Sequence, residues 1–183
     1  MRQVYCALSF VLALAPSAEA RNTLTLLVQF EGKHSQQSVD VMKQELQRLM
    51  KDVEVDWKLL DQLHEGDSFD DLVVVKFKGV CQMETIDPRL FDERGPLAYT
   101  YTSDGHVLPF SEVECEKIRL TVRSAMHGDD FKQADTLFGR ALGRVLAHEL
   151  HHVLGDTKKH EKSGVNRKAL TGQQLIAEHP EML

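Results

Sequence analysis

The most informative segment for chemistry is a histidine-rich stretch at residues 145–155, which read VLAHELHHVLG. Within it, His148, Glu149 and His152 form the pattern H-E-x-x-H. Residues four apart lie above one another on one face of an α-helix, so both imidazoles can bind one tetrahedral zinc ion. Glu149 lies about 100° around the helix from His148, where it can reach a zinc-activated water without being a ligand. The pattern therefore predicts a zinc site with Glu149 as the catalytic base.

This segment belongs to a long predicted helix that must hold the site in place. Residues 132–154 carry apolar side chains along a wide stripe, which is typical of a helix that packs against a core. Leu146, Leu150 and Val153 fall on the side opposite to the paired histidines. One face of the helix can therefore pack while the other lines a cleft. Gly155 predicts the end of the helix, because glycine is common just past a helix end.

On these residues the chain resembles the zincin metallopeptidases, which share H-E-x-x-H. The metzincin branch of that group extends the motif to H-E-x-x-H-x-x-G-x-x-H. This sequence matches the extended motif at His148, Glu149, His152 and Gly155. The resemblance implies a zinc metallopeptidase whose site is completed by a third ligand after the helix.

The chain departs from the metzincin motif at two points. The metzincin spacing places the third histidine at the position of Lys158, and the next histidine is His160, which implies a turn lengthened by two residues. Metzincins also have a methionine turn beneath the metal, but no methionine lies between His152 and Met182. Residues 163–166 (SGVN) are expected to form an equivalent turn without it.

The third zinc ligand is therefore predicted to be His160. Resemblance to the glutamate-type zincins, whose third ligand is a glutamate on a later helix, leaves Glu178 as the alternative. His151 lies about 100° around the helix from His152 and is not expected to bind the same zinc. We expect His151 to face solvent or to contact the ligands from outside.

The resemblance also implies a function, that of a zinc-dependent metalloendopeptidase that hydrolyses peptide bonds with Glu149 as general base. The partner is then a peptide or protein substrate, bound in extended form along an edge strand formed by residues 97–102 or by the segment after Gly105. Two alternatives use the same residues. One is a catalytically inactive zinc-binding or interaction module, and the other is a zinc amidohydrolase that acts on a non-protein substrate.

The elements that must position these residues are visible in the spacing of apolar side chains. Strand-forming patterns occupy residues 23–30, 53–60, 72–80, 97–102 and 106–110, with residues 112–115 extended. Helical spacing occupies residues 36–51, 117–126, 132–154 and 171–177. Asp129 or Asp130 is expected to cap the third of these helices. Residues 81–96 are expected to form a surface loop.

These elements predict an α+β fold with a mixed, twisted β-sheet, a crossover helix and a long active-site helix. The connection between the first two strands is long enough for a parallel crossover. The order strand, helix, strands, active-site helix also resembles the metzincin N-terminal subdomain. We expect a single domain over residues 21–183, since the chain has 183 residues and no linker.

The N-terminus indicates export, and the cysteines agree with it. Residues 1–20 have a basic start, an apolar stretch and an Ala-x-Ala ending, which predict a signal peptide cleaved after Ala20. The protein is therefore expected to be secreted or periplasmic, with no transmembrane segment left after cleavage. Cys81 and Cys115 remain, and an oxidising compartment predicts a disulfide between them.

The charge of the chain argues against one large class of partners. The formal net charge is −6, and it stays −6 after removal of residues 1–20. A general nucleic-acid-binding protein is usually basic, because it neutralises phosphates. We therefore expect no nucleic acid among the partners, and the sequence carries no mark of an oligomeric state.

Overall fold

The computed structural model describes residues 22–69, 71–83 and 95–179. These residues form a mixed five-stranded sheet and four α-helices, so the predicted α+β class is confirmed. The predicted signal peptide lies outside the described residues, as do residues 84–94 of the predicted loop. No helix in the described part of the chain is long and apolar enough to cross a membrane.

The sheet is parallel except at one edge. Its strands lie in the order β2-β1-β3-β5-β4, and only β4 runs antiparallel to its neighbour. The parallel pairing of β1 with β2 confirms the predicted crossover connection. The strands are β1 (Asn22–Phe30), β2 (Val53–Leu59), β3 (Leu72–Lys78), β4 (Ala98–Ser103) and β5 (His106–Glu114).

The helices pack on the sheet through a common core. Alternate residues of β1 and β3, such as Leu26 and Val75, are fully buried in the same cluster as Leu142 and Leu146 of the long helix. Burying each such side chain stabilises the fold by about 1.5–3 kcal/mol relative to leaving it exposed. The helices are α1 (Gln36–Leu49), α2 (Cys115–Ala125), α3 (Ala134–Leu154) and α4 (Gly172–Ile176).

Two details differ from the predicted elements. The short strand at 106–110 and the extended segment after it form one continuous strand, β5, which pairs with both β3 and β4. The predicted cap of the long helix is wrong, because Gly128–Gln133 forms a 3-10 turn before α3 begins. The carboxylate of Asp130 instead accepts a hydrogen bond from the backbone N–H of His127 (2.9 Å).

Helix α3 packs directly against the backbone of α1 at two residues that have no side chain. A Cβ atom at Gly139 would lie 2.4 Å from the backbone oxygen of Ser38, and one at Gly143 would lie 2.8 Å from Cβ of Glu45. Both distances are shorter than real Cβ contacts allow. The two glycines, four positions apart, therefore let the backbone of α3 approach α1 directly.

A buried ion pair fixes the same part of α3. Arg144 is fully buried, and its Nε donates to the carboxylate of Glu45 on α1 (2.7 Å). Its other nitrogens donate to backbone carbonyls of Gln174 and Ala177, both at 2.6 Å. One side chain thus joins α1, α3 and the end of α4.

The predicted disulfide is also present. Cys81 follows β3 and Cys115 begins α2, and their sulfurs are bonded. Both residues are fully buried in the core. The bond therefore attaches α2 to the end of the central strand β3.

Candidate metal centre

Three imidazoles converge beside the C-terminal half of α3. The rings of His148, His152 and His160 lie 4.7–5.1 Å apart between centroids. One nitrogen from each ring can be chosen so that all three atoms lie within 4.8 Å of one another. Among the described residues, this group does not include Glu178. The structure therefore groups His160, not Glu178, with the two helical histidines.

Hydrogen bonds fix which nitrogen of each helical histidine faces the cluster. Nδ1 of His148 lies 2.9 Å from the carbonyl oxygen of Val165, and Nδ1 of His152 lies 2.8 Å from that of Thr157. A carbonyl can only accept, so both Nδ1 atoms carry the hydrogen. In neutral rings, both Nε2 atoms then present lone pairs to the cluster. Such an outer hydrogen bond is the arrangement that orients a metal-binding histidine.

The spacing of the two Nε2 atoms fits a shared cation. They lie 3.1 Å apart, close to the separation of about 3.3 Å that two ligands of a tetrahedral zinc have at normal Zn–N distances. A direct hydrogen bond between them would require one ring to be an imidazolium. Burial and the neighbouring His152 and His151 lower the pKa of His148, which opposes that protonation. The donor set present therefore suits a metal ion.

His160 comes from a loop, and its setting differs from that of the helical pair. Its side chain is exposed, and its ring makes no hydrogen bond to any residue that the structure describes. The loop turns back at Gly164, whose φ of 72° favours glycine, and Glu161 N–H donates to the Asn166 carbonyl (2.9 Å). The turn predicted at residues 163–166 thus lies next to His148, through the Val165 carbonyl.

Glu149 lies against the edge strand of the sheet. Its side chain is 4% exposed, and its carboxylate accepts a hydrogen bond from Oγ1 of Thr100 on β4 (2.7 Å). Thr100 also bonds Oγ of Ser111 on β5 (2.8 Å). Burial raises the pKa of Glu149, against the opposing effects of Thr100, His152 and His160. A carboxylate with a raised pKa is better suited to accept and return a proton near neutral pH.

The histidines and Glu149 border a cleft of about 400 Å³. Its other wall is β4, which contributes Ala98, Thr100 and Thr102. A second hollow of about 350 Å³ shares His148 and Glu149 with this cleft and has apolar walls that include Val145 and Leu170. We call the two together the site cleft. A buried carboxylate, three imidazoles and a strand edge therefore share one concave surface.

The loop that carries His160 is attached to the β4–β5 hairpin. Asp156 has a φ of 40°, which is rare for a residue other than glycine. Its carboxylate accepts a hydrogen bond from the backbone N–H of Val107 (2.8 Å) and lies 3.2 Å from Nδ1 of His106. These contacts hold the start of the loop over the hairpin.

Two other residues near the histidine cluster have contacts of their own, and one of them, Tyr99, borders the cleft. His151 is partly buried with its ring 5.8 Å from that of His152, and it borders a separate hollow with Asn166. The hydroxyl of Tyr99 bonds Glu112 and, at 3.0 Å, the hydroxyl of Tyr101. These contacts raise the pKa of Tyr99.

Some partners of the site were not predicted from the sequence. The carbonyls of Thr157 and Val165 and the hydroxyl of Thr100 leave no pattern in the residue types. Thr100 lies on a strand that was expected to border the site. The alternation of side chains along that strand could have indicated that Thr100 faces the helix.

Comparisons with protein families, with curated proteins and with solved structures found no match to this chain.

Proposed function

We propose that this chain is an exported zinc-dependent metalloendopeptidase. In this proposal His148, His152 and His160 bind zinc, and Glu149 is the general base. The observation that supports it most strongly is the convergence of three imidazoles in one cleft with a buried glutamate. The H-E-x-x-H-x-x-G match and the order of strands and active-site helix add the resemblance to metzincins.

Three neutral imidazoles suit a catalytic zinc, which commonly has three protein ligands and one open position. Zinc in such a site supplies a Lewis acid and lowers the pKa of water towards about 7. The chain's own residues prepare the site. The carbonyls of Thr157 and Val165 hold two rings in the required tautomer, and burial of Glu149 keeps a basic carboxylate close to the histidines.

Glu149 is the group that moves protons in this proposal. It accepts a proton from the attacking water and gives it to the leaving amine nitrogen as the peptide bond breaks. Thr100 orients the carboxylate by donating to it, and Ser111 in turn contacts Thr100. General acid–base catalysis of this kind contributes about 10²–10⁴-fold to a rate.

The edge strand β4 is the proposed docking site for substrate. It pairs only with β5, so the backbone donors and acceptors of its other edge pair with no strand that the structure describes. Residues of β4 also border the site cleft. An extended peptide can add to such an edge through main-chain hydrogen bonds. This arrangement favours a peptide over a small non-protein substrate.

The direct test is cleavage of a diverse peptide library by the full-length chain, produced in an exporting host and loaded with zinc. We expect cleavage, read by mass spectrometry, that a chelator abolishes and that Glu149→Gln lowers by about 10²–10⁴-fold. Zinc binding should persist in that variant. Zinc binding at one per chain without any cleavage would reject the peptidase and favour an inactive zinc-binding module.

A matched pair of neighbouring histidines controls for the metal site. His152→Ala should lose both zinc and cleavage, because it removes a converging ring. His151→Ala changes the adjacent histidine of the same helix but none of the three ligands, so zinc content and cleavage should remain. Equal losses in both variants would contradict the assigned ligand set.

A further inference from the structure

The loop that carries His160 has a charge opposite to that of the rest of the chain. Residues 157–168 contain five lysines and arginines but only one acidic residue, Glu161. This segment carries four net positive charges, and since the chain totals −6, the other residues carry ten net negative ones. Net positive charge is therefore concentrated in the loop that carries His160.

Three of these cations border the site cleft itself. Lys158 lies in the wall beside His152 and His160, and Arg167 lies in the wall of the adjoining hollow. Lys168 borders both parts. The side chains of these three residues make no ion pair or hydrogen bond with any residue that the structure describes.

The cleft offers these cations little internal compensation. The only carboxylate that borders it, among the described residues, is that of Glu149, which is buried and already accepts a hydrogen bond from Thr100. Outside the cleft, the Asp156 carboxylate interacts with Lys158 through its charge without forming an ion pair, whereas Lys76 pairs directly with Glu31 (2.7 Å). An excess of charge of one sign in a concave surface attracts ligands of the opposite sign and disfavours those of the same sign.

We infer that the site cleft selects peptides with acidic side chains beside the bond to be cleaved, through Lys158, Arg167 and Lys168. This inference rests on the proposed function for the position of the bond, but the charge selection itself does not require hydrolysis. The hollow next to Glu149 has apolar walls formed by Leu97, Val145 and Leu170, with Arg167 and Lys168 also bordering it. A glutamate side chain, with an apolar stem and an anionic end, has the matching chemistry.

The test uses three degenerate peptide pools that share randomised apolar positions and differ only at two fixed central positions, which are Glu, Gln or Lys. The full-length chain, produced in an exporting host and loaded with zinc, is tested for the rate at which it cleaves each pool. Its Glu149→Gln variant is tested for the affinity with which it binds each pool. We expect the Glu pool to bind tighter than the Gln pool by roughly two- to fivefold for each cation engaged, and the Lys pool to bind most weakly. The differences should shrink at 0.5 M salt, where charges are screened.

Matched variants assign the effect to the cleft. Lys168→Gln should remove much of the preference, whereas Lys162→Gln removes a lysine of the same loop that does not border the cleft and should leave it intact. Equal binding of the three pools, equal effects of the two variants, or no binding of any pool would overturn the inference. Cleavage without charge preference would leave the peptidase standing but reject the inference. Preferential binding of the Glu pool without cleavage would support the charge selection but reject the peptidase.

Discussion

The two halves of helix α3 are held in place in different ways. The first half is fixed by buried contacts, in which Gly139 and Gly143 meet α1 and Arg144 joins α1 to the end of α4. The second half carries His148, Glu149 and His152 and meets the sheet edge and an irregular loop.

This difference divides the molecule into two parts. We call the sheet with its helices the frame, and the segment between α3 and α4 the loop that completes the site. The frame fixes the helix that carries His148 and His152, and the loop carbonyls orient the rings of these two histidines. The loop supplies His160 and the carbonyls of Thr157 and Val165, and its residues 158–163 are exposed. Changes in the frame should therefore affect stability, and changes in the loop should affect metal and substrate binding.

The largest effect on stability is expected for Arg144→Ala in the frame. Removing one partner of a buried ion pair leaves Glu45 without its main buried counter-charge, which costs about 3–5 kcal/mol. The free energy of unfolding is measured by urea denaturation. Arg140→Ala is the matched control, because Arg140 lies one turn earlier and donates a single hydrogen bond, to the Ile176 carbonyl (2.6 Å). Similar losses for both variants would contradict the special role of Arg144.

The next effect concerns the disulfide, which also belongs to the frame. Replacing Cys81 and Cys115 by alanine opens a loop with a sequence separation of 34 residues. The chain-entropy estimate for such a loop is a loss of about 3–4 kcal/mol. The loss should be the same with and without zinc, because the bond lies outside the candidate metal centre. A loss that disappears on adding zinc would show that frame and site are not separate.

A smaller effect is expected at acidic pH. Burial alone would raise the pKa of Glu45, but the hydrogen bonds and charges of Arg48 and Arg144 outweigh it and hold that pKa below its ordinary value of 4.5. This carboxylate therefore stabilises the fold above pH 4.5, and its contribution is lost as the pH falls through the lowered pKa. Stability measured between pH 6 and pH 3 should fall less in Glu45→Gln than in the natural chain. Parallel pH profiles would contradict this.

The smallest effect is expected where the loop meets the hairpin. Asp156→Ala removes the acceptor of the Val107 N–H, so the backbone amide of Val107 should exchange its hydrogen faster. Global stability should change by less than about 0.5 kcal/mol, as is usual at the surface. Amide exchange is followed residue by residue, with Val75 of the buried strand β3 as an internal reference. Unchanged exchange at Val107 would show that Asp156 does not anchor the loop.

The frame could be predicted from the sequence to a large extent, because its elements follow from regular spacing. The β1–α1–β2 crossover and the length of α3 come from apolar periodicity, and the disulfide from two cysteines in a chain predicted to be exported. The close approach of α1 and α3 could not be predicted in this way. It depends on Gly139 and Gly143 facing a backbone that is distant in sequence, and a glycine inside a helix does not show what it meets.

The candidate site divides in the same way. The helical spacing of four residues was sufficient to place His148 and His152 together, since that geometry is local. The choice between His160 and Glu178 depended on the path of an irregular loop, which no periodicity describes. The contacts that orient the site use backbone carbonyls of Thr157 and Val165, and their residue types carry no information about that use.

The most direct measurement is the zinc ligand set of the full-length chain, from X-ray absorption and competitive zinc titration, beside two variants. We predict three imidazole nitrogens in the natural chain. His160→Ala should show two and bind zinc more weakly by over ~100-fold, above the range typical of losing a partner outside the ligand set. Glu178→Gln should match the natural chain. Three imidazoles retained in His160→Ala, or zinc binding weakened by Glu178→Gln, would contradict the account.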